Sequence, residues 1–374
     1  MTRPAPLEGI KVVELARVLA GPWAGQVLAD LGADVVKVES PEGDDTRRWG
    51  PPFVDNGDGT QDAAYFHAAN RGKRSVAADF RTEEGRQLVL DLVRDADVVI
   101  ENFKVGGLAK FGLDYASLSA VNPRLVYCSI TGFGQDGPYA ALPGYDFIVQ
   151  GMSGMMDLTG FPDGPPTKIG MAYADILTGL YGVIGIQAAL HQRERTGRGQ
   201  QVDCALFDTM VGTLANQAMN YLVAGRVPHR LGNAHPNIVP YEAYAADDGW
   251  LIIAVGNDRQ FERLAVVLDF EPREEWRCNS GRVADREVLS GLIAGRIADW
   301  ERADLLAVLA EEKIPAGPIH DVGEALADPQ ILARGMVLEM ERADGTRLRG
   351  LRTPIVFSEA DLALGKPSPK LGEV

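Results

Sequence analysis

The side chains able to do chemistry in this sequence fall into a few short clusters, and Asp175 is the most informative of them. It sits in AYADILTG (172–179), where a long apolar helix is predicted to begin. A carboxylate at that place has two ordinary uses. It can cap the helix by accepting hydrogen bonds from the free N–H groups of the first turn. It can also act as a nucleophile on an activated acyl group such as a thioester, if nearby N–H groups stabilise the oxyanion. The small neighbours Ala172, Ala174 and Gly179 would let a ligand approach closely, and a glycine-rich segment precedes them. Position alone leaves both uses open.

Basic residues form a second set. NRGKRS (70–75) and Arg81 stand in an acidic chain, either as a solvated loop or as cations held for phosphate groups. Arg47 and Arg48, in GDDTRRWG (43–50), can bind a carboxylate or pair with Asp44 and Asp45. Lys104 and Lys110 follow a predicted strand end, the ligand-binding edge of an open α/β sheet. GFGQDG (132–137) matches the dinucleotide pattern GxGxxG, but Pro138 and the Pro143-Gly144 pair oppose the helix that pattern must open. The cysteines Cys128, Cys204 and Cys278 are far apart, and none of the five histidines has metal-ligand spacing, so no metal site is expected and a reducing, cytoplasmic setting is.

The elements that must position these residues alternate. Strands are predicted over 10–15, 34–39, 97–101 and 125–130, with helices over 21–31 and 82–94 between them. That is the pattern of a parallel sheet covered on both faces, a Rossmann-like α/β domain. A loop-rich stretch (132–170) leads to an apolar helix over 174–191, then a strand and another long helix from 201. Residues 223–322 read as a smaller α+β domain around the strand WLIIAVG. Residues 323–374, with a strand-like TPIVF (353–357), return to a large domain begun by residues 1–222. With 374 residues, two domains are the natural division. Lys and Arg number 37 against 52 Asp and Glu, a net charge of −15, which argues against nucleic acid or an anionic membrane as partner. The N-terminal segment lacks the uninterrupted apolar run of a signal peptide, and the apolar stretch 176–190 reads as a buried helix rather than a membrane span.

Taken in order, these segments resemble the class III CoA-transferases, the family of formyl-CoA transferase that also includes acyl-CoA racemases. The resemblance covers nearly the whole chain. It is carried by LEGI (7–10), RVLAGP (17–22), LGADVVKVE (31–39), the 43–50 and 70–75 segments, ENF (101–103), AYADILTG around Asp175, and RTGRGQ (195–200). The segments at 232–241 and 256–261 are similar to the succinyl-CoA:glutarate branch, which implies a dicarboxylate acceptor. The resemblance further implies that Asp175 is the nucleophile, forming an aspartyl anhydride and then an aspartyl-CoA thioester. Coenzyme A would be bound as acyl-CoA substrate by Val18, Leu19, Ala78, Arg81, Asn102, Phe103 and Lys110. Tyr145 would line the active site, and Arg47 or Arg48 would take the distal carboxylate. Ser40 and Lys110 stand where formyl-CoA transferase has arginines. No metal, flavin or nicotinamide is implied. The implied assembly is an interlocked, ring-like homodimer with the active site between large and small domains.

Three other readings compete, one of them a noncatalytic CoA-binding protein, against which the presence of Asp175 speaks. An α-methylacyl-CoA racemase on the same scaffold uses a histidine where this chain has Tyr145, and a phenol with an ordinary pKa of about 10 is a poor base near neutrality. A dinucleotide-dependent oxidoreductase would rest on residues 132–137 alone.

Overall fold

The β-branched runs of the N-terminal third do assemble into one sheet. The computed structural model describes residues 3–373. Its main sheet contains β1 (Lys11–Glu14), β2 (Asp34–Glu39), β3 (Arg74–Ala77), β4 (Val98–Glu101), β5 (Val126–Thr131) and β6 (Gln201–Ala205). They are hydrogen-bonded in the order β3-β2-β1-β4-β5-β6, and every neighbouring pair is parallel. β4 and β5 are buried along their whole length, which explains their richness in Val and Ile. The order reverses between β1 and β4, and such a reversal opens a crevice at the carboxyl edge of the strands.

Helices cover both faces. α1 (Ala20–Asp30) and a later 24-residue helix share one core with Val12, Val35, Ile100, Val126 and Ile130. On the other face, α3 (Glu83–Arg94) buries Val89 and Val93 against Val13, Val38 and Val99. Thr82 caps α3 by accepting the Gly85 N–H at 3.0 Å. Between them in sequence lies the short α2 (Ala64–Ala69).

α4 (Asp146–Met152) and α5 (Tyr173–Thr196) frame the residue of interest. α5 is longer than its apolar stretch suggested, and by length and composition it could cross a membrane. Here Ala174, Thr178, Gly182, Ile186, Ala189 and Arg193 form its buried face, at helical spacing. Gly179 permits its contact with α1: a Cβ there would lie 2.6 Å from the Ala20 carbonyl oxygen.

Two readings fail locally. Residues 353–357 form no strand, because Asp30 takes the Thr353 N–H at 3.1 Å and Pro354 has none to give. The long helix after β6 is split into Leu206–Gly212 and Ala215–Ala224, with Ala215 in the left-handed region at φ 48°.

The chain divides into two compact units. One comprises Met1–Met155, Lys168–Val223 and Pro329–Val374; the other comprises Met156–Thr167 and Ala224–Asp328. The second has its own antiparallel sheet, Tyr241–Ala246, Gly249–Ala254 and Ala316–Pro318. Its core holds Leu251, Ile253, Phe261, Leu289 and Leu305.

Candidate active site

Asp175 is not the cap of α5. Ala172 occupies the cap position and offers no side-chain acceptor. The acceptor comes from α4 instead: Asp146 Oδ1 receives the Ala174 N–H at 2.7 Å. No hydrogen bond to the Asp175 carboxylate is present among the described residues. Burial, and then the negative charge of Asp146, push that carboxyl up to about 7. A carboxylate with neither donor nor cation is unusual in a folded protein, and strong perturbation of this kind clusters at functional sites.

Tyr65 on α2 faces the same region. Burial and the charges of Asp175, Asp146 and Asp44 raise its phenol, which stays neutral. Tyr65 thus connects Asp175 electrostatically to Asp44, and Asp44 lines a cleft of about 480 Å³ at the carboxyl edge of β1, β2, β3 and β4. Predicted residues Ala78, Arg81, Phe103 and Arg48 also line it. Phe80 stands beside Phe103 and Phe111 at centroid distances of 6.2 and 6.3 Å, giving the cleft an aromatic wall.

Three further predicted residues reach the cleft through a neighbour. Asn102 brackets Arg17, donating from Nδ2 to its carbonyl at 2.7 Å and accepting its N–H at 2.9 Å. Lys110 Nζ lies 4.8 Å above the Phe111 ring. Val18 donates its N–H to Asp44, at 3.1 Å to Oδ2, and holds φ at 70°, a strained value for a β-branched residue. Leu19 is buried and precedes α1. Tyr145 is 68% exposed, immediately before α4.

The other basic residues divide, Arg48 pairing with Asp45 as one expectation had it and Arg47 matching neither. Arg47 is buried, with Nε and Nη2 donating to Glu39 at 2.8 and 2.7 Å and Nη1 to Asp62 at 2.9 Å. Its guanidinium also stacks 3.6 Å over Phe66. These contacts commit its donors inside the fold and weigh against its reading as a carboxylate ligand. Arg48 is exposed and pairs with Asp45 at 3.0 Å. In the 70–75 cluster Arg71 grips buried Asp30 and Lys73 is ion-paired with Glu14 at 2.7 Å deep under α1, while Arg74 pairs with Asp34 at the surface. Lys37 shares Glu14 at 3.1 Å and Asp44 at 2.9 Å. Burial opposes its charge, yet those carboxylates hold its pKa above the ordinary lysine value.

Residues 132–137 do not open a helix; none begins until Asp146. Gly132 is small because Gly144 crosses it, and a Cβ would come within 2.4 Å of the Gly144 Cα. The dinucleotide reading loses its premise. No group of three or more His, Cys, Asp or Glu side chains among the described residues is arranged to hold a metal ion.

Fold and cleft place the chain among α/β proteins that take their ligand at the carboxyl edge of a parallel sheet. The family model described as CoA-transferase family III matches residues 7–374, and the chain belongs to that family, whose substrates are CoA thioesters. It is 58% identical to a succinate–glutarate CoA-transferase of Agrobacterium fabrum, over 99% of this chain and 94% of the relative. It is 39% identical to a succinyl-CoA:glutarate CoA-transferase of Mus musculus, over 98% of this chain and 84% of the relative. The crystal structure of a CAIB/BAIF family protein from Brucella suis matches with a TM-score of 0.90 and 62% identity, covering 99% of this chain and 97% of that one.

Proposed function

We propose that the protein moves coenzyme A from a dicarboxylic acyl-CoA to a second dicarboxylic acid, with Asp175 as the covalent carrier. The observation that carries this reading is the Asp175 carboxylate, half-buried beside Asp146 at the start of α5 and without a hydrogen-bond donor among the described residues. A carboxylate that no donor holds keeps its lone pairs free to attack, the condition covalent catalysis requires.

In the proposed cycle an Asp175 oxygen attacks the thioester carbonyl of the donor. The C–S bond breaks and CoA leaves as thiolate with the electron pair, giving a mixed anhydride. The thiolate then attacks the aspartyl carbonyl, and the donor acid departs as carboxylate. The acceptor carboxylate attacks the aspartyl-CoA thioester, re-forming an anhydride and releasing thiolate. Attack of that thiolate on the acceptor acyl carbon frees Asp175. Each step exchanges oxygen and sulfur at one carbonyl, so no carbon changes oxidation state.

The cleft is assigned to coenzyme A. Phe103, with Phe80 and Phe111, offers ring faces to adenine, and Arg81 and Lys110 offer charge to phosphate. Ala78 lines the cleft, Val18 and Asn102 hold Asp44 and Arg17 on its wall, and Leu19 is assigned to the same ligand. The glutarate-directed activity of both named relatives supports a dicarboxylate pair. Arg48 and Tyr145 are the candidates for its distal carboxylate, Arg47 being committed elsewhere. We assign the chain to an interlocked homodimer in the cytoplasm. Exposed Leu180, Tyr181 and Ile184 on α5, and Tyr221, Leu222 and Val223 beyond it, support a second copy as cover. Three unpaired cysteines suit the compartment.

The test is a screen of acyl-CoA donors against carboxylic acids, beside Asp175→Ala and Asp175→Asn. Both variants should lose exchange while holding CoA within about tenfold of wild-type affinity. Hydroxylamine should trap a modified Asp175 after incubation with donor alone. Normal exchange by either variant would remove the carrier role.

A further inference from the structure

The side chains that hold Asp175 in place lie in α4. Asp146 Oδ1 accepts the Ala174 N–H at 2.7 Å and the N–H of Asp175 itself at 3.4 Å. Asp146 Oδ2 accepts Nε2 of Gln150 at 2.7 Å. Gln150 is fully buried. Its Oε1 accepts the Ile169 N–H at 2.9 Å, and its Nε2 also reaches the Met171 carbonyl at 3.5 Å. One interior amide therefore ties together α4, the loop before α5 and, through Asp146, the first turn of α5.

The N–H groups that open a helix ordinarily stabilise an anion on its first turn. In α5 Asp146 occupies two of them. Asp175 is thereby left beside a like charge and without the donors its position would normally give it. A simple cap would need only the acceptor oxygen, not a negative charge set against the neighbouring carboxylate.

We propose that Asp146, clamped by Gln150, is a positioning residue for the transfer reaction: it fixes the register of Asp175 and withholds the helix-opening N–H groups from its carboxylate. The assignment rests on the reading of Asp175 as nucleophile. Asp146 and Gln150 act through Asp175 and touch no reacting atom. The titratable groups that face Asp175 are Asp146 from α4 and Tyr65 from α2, and Tyr65 in turn faces Asp44.

Asp146→Asn separates charge from capping, because its amide oxygen still accepts the Ala174 N–H. The full-length wild type, Asp146→Asn, Asp146→Ala, Gln150→Leu and Asp175→Asn would be compared over about pH 5 to 9, reading kcat and KM separately. A second readout does not depend on turnover: carbodiimide labelling of Asp175 against pH, located by mass spectrometry. In Asp146→Asn the labelling midpoint and the kcat midpoint should both move about one unit towards acid. In Gln150→Leu, kcat should fall about tenfold with KM changed less than about twofold. Unmoved midpoints in both Asp146 variants, with kcat unaffected in Gln150→Leu, would overturn the proposal. Exchange surviving in Asp175→Asn would sink the nucleophile reading instead, and the labelling midpoint would still judge the positioning claim by itself.

Discussion

Arg47 and Glu39 meet through two parallel hydrogen bonds of 2.8 and 2.7 Å in the interior of the larger unit. Ser75 adds a third bond to the same carboxylate at 2.6 Å, and Asp62 takes the remaining face of the guanidinium. Burial works against the Glu39 charge, but Arg47 and Lys37 hold its carboxyl below the ordinary value.

Removing one partner of a buried pair leaves the other uncompensated, which typically costs about 3–5 kcal/mol. Arg47→Ala should therefore lower the urea midpoint markedly. Arg48→Ala, whose pair with Asp45 is largely exposed, should change stability by less than about 1 kcal/mol. If Arg48 meets the acceptor, its loss should raise the acceptor KM about tenfold or more while leaving the CoA-thioester KM nearly unchanged.

In the proposed cycle the ionised form of Asp175 attacks, and its carboxyl is raised to about 7. Exchange should rise with pH through about that value and then level. Stability should run the other way. A carboxyl raised in the folded state favours folding below its unfolded pKa, and that contribution is lost as pH climbs through the folded value. Asp175→Asn should accordingly be the more stable protein at about pH 8, by about 1–3 kcal/mol, and show little difference near pH 4. Denaturant melts at the two pH values check the sign.

Phe103 shares the aromatic wall of the cleft with Phe80 and Phe111. Phe103→Ala should weaken CoA about tenfold by calorimetry, the scale of one aromatic contact. Arg81→Ala should weaken CoA more at low salt than at high salt, as a phosphate partner must. A salt-independent loss would place Arg81 outside phosphate contact.

Gly179→Val should push α5 away from α1, because a Cβ at this position meets the Ala20 carbonyl oxygen at 2.6 Å. Overpacking of this kind costs about 1–3 kcal/mol. Asp175 lies one turn earlier on the same helix, so kcat should fall in parallel with the drop in the thermal midpoint. Stability lost with kcat intact would separate the α1–α5 contact from the alignment of Asp175.

Most of the main sheet was legible because β1, β2, β4 and β5 are contiguous β-branched runs with one answer each. β3 was not, since Arg74-Ser-Val-Ala is short and begins in a basic cluster that reads as surface. Local pattern hides interior ion pairs: Lys73 looks solvated until Glu14 arrives from β1 to neutralise it. The same applies around Asp175. Its own segment stood out by small residues and helix position, whereas Asp146, Gln150 and Tyr65 converge on it only after the chain folds, and no spacing rule links them. The helix break before Ala215 had only Gly212 in the sequence to announce it, a residue helices often tolerate.

The larger unit is assembled from three separated stretches of chain, and the last of them closes it. Glu373 O accepts the Ser75 N–H of edge strand β3 at 2.7 Å, Lys366 O accepts the Gly72 N–H at 3.0 Å, and Pro369 O lies within 3.4 Å of Arg47. A nascent polypeptide paused at Val223 would therefore lack the cover over edge strand β3 and the Pro369 carbonyl beside Arg47. The smaller unit is fully synthesised by Asp328, before the segment that closes the larger unit, so the unit begun first is the last to have its whole chain.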